Sequence, residues 1–201
     1  MNKFFFLDVD TQRDFMLPGG NLYVRGAERI IPKLRRLFDF AGNNDITVIS
    51  TADAHDAGDP EFEQFPAHCV RETEGQRKVA ETLIPKPLII KNEPYDRNLL
   101  EVVRRYRQII IEKQALDMFT NPVAERLLKV LPPRAVVFGV TTEYCVKHAC
   151  LGLRRRGINT VVVSDAVCAI ASETEKEAIR EMRSAGVDFI PLAQLLSAIA
   201  V

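Results

Sequence analysis

Ala135-Val136-Val137-Phe138-Gly139-Val140-Thr141-Thr142-Glu143-Tyr144-Cys145 is the stretch on which the fold of this 201-residue chain turns. Residues 135–139 are apolar without alternation, the pattern of a strand covered on both faces. The turn after them leads into a helix read over 144–155, with Gly157 placed as its stop. Strand, turn and helix start in this order are the unit of a parallel sheet whose chemistry sits beyond the carboxyl ends of its strands.

The same alternation extends in both directions. Strands are expected over 4–9, 46–50, 87–91, 108–112, 159–164 and 187–190. Helices are expected over 26–43, 97–107, 123–131 and 172–184, and a last one follows the final strand. Ser172-Glu173-Thr174-Glu175 reads as a capping box. Arg154-Arg155-Arg156 reads as a solvated helix end that suits the helix dipole. The prediction is one α/β domain over residues 1–201, with three α/β/α layers around a mostly parallel central sheet.

Composition narrows the partners. Lys plus Arg is 27 and Asp plus Glu is 27, so bulk charge offers nothing to nucleic acid. The apolar runs are far shorter than the roughly 20 residues of a membrane span. Met1-Asn2-Lys3 runs into a short apolar segment that meets Asp8 and Asp10, so no export signal is read and a cytoplasmic location is expected. Four cysteines without such a signal are expected to be reduced thiols.

Four strand exits carry reactive side chains. Asp10 ends the first strand, where an acid can also simply cap a turn. The second strand leads to Asp53-Ala54-His55, and Phe65-Pro66-Ala67-His68 follows in a segment over 52–75 without periodicity. Asp-x-His places a carboxylate and an imidazole on one side of an extended segment, and a second imidazole would make three ligands suited to zinc, iron or manganese. The bland alternative is a polar surface loop. Lys113 ends a further strand, where a lysine is either solvated or a source of positive charge for a thiolate. Cys145 at a helix start is expected to have a lowered pKa, unless it is only a small core residue.

These segments together resemble the isochorismatase-like cysteine hydrolases. Asp10-x-Gln12-x-Asp14-Phe15, Lys113 and Gly139-Val140-Thr141-Thr142-Glu143-Tyr144-Cys145-Val146 look like the three motifs of that family, and the likeness spans nearly the whole chain. Asp53-x-His55 and Phe65-Pro66-x-His68-Cys69-Val70 are similar to the metal loop of its nicotinamidases. The resemblance implies an amidase that converts nicotinamide to nicotinate and ammonia in NAD salvage. Cys145 would be the nucleophile, Asp10 the base and then the acid, and Lys113 the cation between them. A cis peptide between Val140 and Thr141 is implied, with the Thr141 and Cys145 N–H groups forming an oxyanion hole. Asp53, His55 and His68, with Glu61 as a possible fourth ligand, would hold a divalent metal, zinc before iron or manganese. Phe15 and Phe65 would flank the substrate ring. The implied partner is a small-molecule amide, with no nucleic acid and no membrane, and the chain is expected to form a homo-oligomer. A related amidase acting on another small amide, or a silent binding subunit, are the competing readings. Residues 86–107 look like an insertion that could reshape the pocket, and Lys91 competes for the lysine role.

Overall fold

The computed structural model describes residues 3–199. Seven parallel strands form one sheet in the order β3-β4-β2-β1-β5-β6-β7. They are β1 (Phe5–Val9), β2 (Val48–Asp53), β3 (Leu88–Ile90), β4 (Gln108–Lys113), β5 (Arg134–Val140), β6 (Asn159–Cys168) and β7 (Asp188–Ile190). The helices are α1 (Arg13–Met16), α2 (Ile31–Asn43), α3 (Leu99–Arg105), α4 (Ala124–Leu128), α5 (Lys147–Arg155), α6 (Ser172–Ser184) and α7 (Leu192–Ile199).

β1 shows why the strands read as unbroken apolar runs. Phe5, Leu7 and Val9 point into one core with residues of α3, α4, α5 and α6. Phe6 points the other way, into a core with α2 and α7, where its ring meets Phe138 edge-on at 5.6 Å. A strand covered on both faces has no solvent side, so nothing selects alternation. The three-layer expectation therefore holds. Among the described residues no helix is long and apolar enough to cross a membrane.

Several boundaries shift toward the site. β2 runs to Asp53 instead of residue 50, because it pairs with β4 through Asp53 and Lys113. The helix read over 144–155 starts as an irregular wide turn at Thr142–Val146 and becomes α5 only at Lys147. Ser172 is no cap. Ala171 stands at the N-cap of α6, and Glu143 accepts the N–H groups of Ile170 and Ala171 at 2.8 and 3.1 Å. A carboxylate from the neighbouring turn thus takes the N-cap N–H that Glu175 of the capping box was expected to accept. The arginine run is partly tied down: Arg156 lies over the Phe119 ring at 3.8 Å and Arg154 donates to the Ala185 carbonyl at 3.0 Å. Residues 86–107 contribute β3 and α3 at the sheet edge.

Candidate active site

Reversal of strand order around β1 opens a crevice at the carboxyl ends of β2, β1 and β5, where such sheets bind ligands. Gly139 lets β5 close on β1: a Cβ there would lie 2.1 Å from the Val9 carbonyl oxygen. Its φ of +119° also suits glycine alone. The Val140–Thr141 peptide that follows is cis. The wide turn then brings Cys145 over the end of β1.

Asp10, Lys113 and Cys145 converge there, all buried. Lys113 Nζ lies 2.9 Å from Asp10 Oδ2 and donates to Cys145 Sγ at 3.4 Å. It also contacts Asp53 Oδ1. Lys91, at the exit of edge strand β3, is exposed and takes no part. One oxygen each of Asp10 and Asp53 and the Cys145 sulfur lie within 4.8 Å of one another. All four cysteines are free thiols.

The electrostatics correct one expectation. Cys145 is held well above its usual pKa, not lowered: burial dominates, Lys113 offsets it in part, and Asp10 and Asp53 add to the rise. A thiol held up in this way calls for a base beside it. Burial also raises Asp10, against the pull of Lys113 and with the push of Asp53. Burial would deprotonate Lys113, but Asp10 and Asp53 outweigh it and hold the ammonium well above its usual value.

The imidazoles stand beside this group. His55 Nε2 and His68 Nε2 each lie 3.9 Å from Asp53 Oδ2, and the three donor atoms lie within 4.8 Å of one another. His55 Nδ1 donates to Asp59 at 2.9 Å and His68 Nδ1 to the Pro66 carbonyl at 2.8 Å. Those bonds leave both Nε2 atoms as donors to a metal, and the buried His55 Nε2 has no hydrogen-bond partner. The carboxylates around His55 outweigh its burial and raise it to about 9, so this corner stabilises positive charge. Burial pushes Asp53 up, yet Lys113 and His55 hold it at about 2. Two imidazoles and a carboxylate with these partners fit a divalent cation. Glu61 Oε1 lies 3.8 Å from His68 Nε2 but outside the tight trio.

A pocket opens between the Cys145 thiol and the His68 imidazole. Phe15, Phe65 and Tyr144 supply its aromatic walls, with Phe15 5.2 Å from His68 and Phe65 edge-on to Tyr144 at 5.9 Å. No residue of 86–107 lines it, so the insertion leaves the pocket alone.

Four supporting residues carry no chemical signature in sequence. Gln12 accepts the Asp53 N–H at 2.7 Å and donates to the Asp53 carbonyl at 2.8 Å. Asp14 accepts the Cys69 N–H at 2.7 Å, which fixes the chain just after His68. Thr51 donates to Asp10 Oδ1 at 2.6 Å. Lys78, buried in the loop that returns from the imidazoles, pairs with Asp8 at 2.8 Å. Gln12 and Asp14 stood in the quoted motif, but their work became visible only with their backbone partners in place.

Known proteins share this arrangement of chain. A nicotinamidase from Acinetobacter baylyi is 26% identical over 94% of this chain and 92% of its own length. A relative from Arabidopsis thaliana, named as a probable inactive nicotinamidase, is 24% identical over 90% of this chain and 88% of its own length. The solved structure of pyrazinamidase of Pyrococcus horikoshii in complex with zinc superposes with a TM-score of 0.78 at 27% identity, covering 94% of this chain and 99% of that one. A model of the isochorismatase domain matches residues 5–194, from the first strand into the last helix, and the chain accordingly belongs to the isochorismatase domain family.

Proposed function

We propose that this protein is a metal-dependent cysteine amidase that hydrolyses nicotinamide to nicotinate and ammonia, a step of cytoplasmic NAD salvage. The observation that carries this reading is the placement of Lys113 Nζ 3.4 Å from Cys145 Sγ and 2.9 Å from Asp10, on the wall of a cavity lined by aromatic rings. Its relatives with nicotinamidase and pyrazinamidase names support the substrate class. Family membership alone does not carry activity, since one relative is named as inactive.

The steps follow from the charges. Cys145 is a neutral thiol and Asp10 is the adjacent base, so the thiol proton passes to Asp10 as the sulfur adds to the amide carbonyl carbon. Lys113 holds the negative charge that forms on sulfur. The carbonyl oxygen becomes an oxyanion and accepts from the Thr141 and Cys145 N–H groups, the proposed oxyanion hole. Asp10 returns its proton to the amide nitrogen, the C–N bond breaks and ammonia leaves. A thioester remains. Water then adds to it with Asp10 taking the proton, the C–S bond breaks, and the proton returns to sulfur as the acid departs.

Asp53, His55 and His68 would hold the cation, which we propose to be zinc, with Glu61 at the rim as a further ligand. When bound, it supplies an anchoring point for the ring nitrogen. Phe15 and Phe65 would hold the ring faces and edges.

Ammonia release from nicotinamide and a panel of small carboxamides tests the reading. The wild-type protein loaded with zinc releases ammonia and Cys145→Ala does not. Equal release by the alanine variant overturns the nucleophile, and release from no carboxamide overturns the amidase.

A further inference from the structure

Asp10 has to accept a proton, carry it and deliver it to a different atom, and its surroundings decide which of its two oxygens does so. The structure separates them. Oδ1 accepts the Thr51 hydroxyl at 2.6 Å, while Oδ2 faces Lys113 at 2.9 Å. In the ionised base the direction of the Thr51 bond is fixed as well, because a carboxylate oxygen only accepts. The Asp10 N–H donates to Thr51 Oγ1 at 3.2 Å, which engages a lone pair of the hydroxyl and leaves its proton for the carboxylate.

We infer that Thr51 is a positioning residue for the proposed reaction: by donating to Oδ1 it reserves Oδ2 as the oxygen that carries the proton between Cys145 and the leaving amide nitrogen. The inference rests on the amidase reading for its substrate, but not for its chemistry, since it concerns only how Asp10 meets the thiol. The hydroxyl holds backbone and carboxylate together where Asp10 adopts φ +47°, a left-handed conformation that L side chains rarely take. Thr51 is itself fully buried in β2, and its carbonyl accepts from Lys78 Nζ at 3.3 Å. Lys78 in turn pairs with Asp8, two residues before Asp10 on β1. The segment of β2 that carries the hydroxyl is therefore tied to β1 through Lys78 and Asp8.

Thr51→Val keeps the branched shape and removes the donor. Thr51→Ser keeps the donor and removes the methyl group. Against nicotinamide, Thr51→Val lowers kcat by about tenfold to a hundredfold, the worth of one hydrogen bond to a charged group, with KM within about twofold. Thr51→Ser restores kcat to within about threefold of wild type. A role in packing alone predicts the reverse order, with the serine variant the weaker. Alkylation of the Cys145 thiol by iodoacetamide reads the same proton transfer without an amide: the S–C bond forms, iodide leaves, and the thiol proton goes to Asp10. Followed by mass spectrometry at Cys145, it slows in Thr51→Val and not in Thr51→Ser. Equal alkylation rates in wild type and Thr51→Val overturn the inference. If the alkylation pattern holds while no carboxamide is hydrolysed, the amidase reading falls and the role of Thr51 stands.

Discussion

Asp53 and Lys113 face each other in register across β2 and β4, and their ion pair joins the thiol to the imidazoles. One Asp53 oxygen meets Lys113 and the other faces His55 and His68. The candidate metal corner and the Cys145 thiol, the proposed nucleophile, therefore share one carboxylate, and a change in either charge is felt by both.

Lys113→Met removes the cation that balances two buried acids. Leaving them unpaired costs about 3–5 kcal/mol, the penalty for breaking a buried ion pair by deleting one partner. Denaturant unfolding shows the loss, and ammonia release falls to background.

Asp10→Asn has the opposite stability sign. Asp10 is raised above its ordinary value, so its burial is best tolerated protonated and its charged form weighs on the fold as pH rises. The amide removes that burden: the variant unfolds at a denaturant concentration no lower than wild type at pH 8 while activity is lost. In the wild type, kcat/KM falls on the acid side at a pH above the ordinary aspartate value of about 3.9. A stopped assay across pH 4–9 locates that limb.

Chelation should strip both activity and stability, because a cation that binds only the folded chain adds about 2.7 kcal/mol at a free concentration of 100 times its Kd. Elemental analysis returns one metal per chain for wild type and a small fraction of that for His68→Ala. Zinc restores the chelated wild type but not the variant.

Gly75→Ala tests the brace behind His68. A Cβ there would lie 2.1 Å from Asp14 Oδ2, and Asp14 cannot yield without releasing the Cys69 and Asn21 N–H groups. Overpacking of this kind costs about 1–3 kcal/mol. Metal affinity falls along with stability, because the displaced segment carries a ligand. An unchanged zinc Kd would show that Asp14 does not hold His68 in place.

Local chemistry is what a chain shows on its own. Phe4–Leu7, Ile109–Ile111 and Val136–Phe138 are apolar on both faces, and that pattern alone called for a covered parallel sheet. Asp10 and Lys113 were legible because each stands at a strand exit, and Cys145 because it opens the helix after one, and strand exits share one edge of such a sheet. The pKa of Cys145 was misread, since a helix start promises a lowered value while the depth of burial depends on every element packed around it. The cap of α6 was misread for a like reason: Glu143 lies 28 residues before Ala171, and a sequence pattern reaches only neighbours. Thr51, Gln12, Asp14 and Lys78 are ordinary residues until folding brings their partners in from 41, 55 or 70 positions away. Periodicity and strand ends are properties of a few adjacent residues, so the linear chain carries them. Hydrogen-bond partners, desolvation and charge balance belong to distant segments meeting in space, and only the packed molecule settles them.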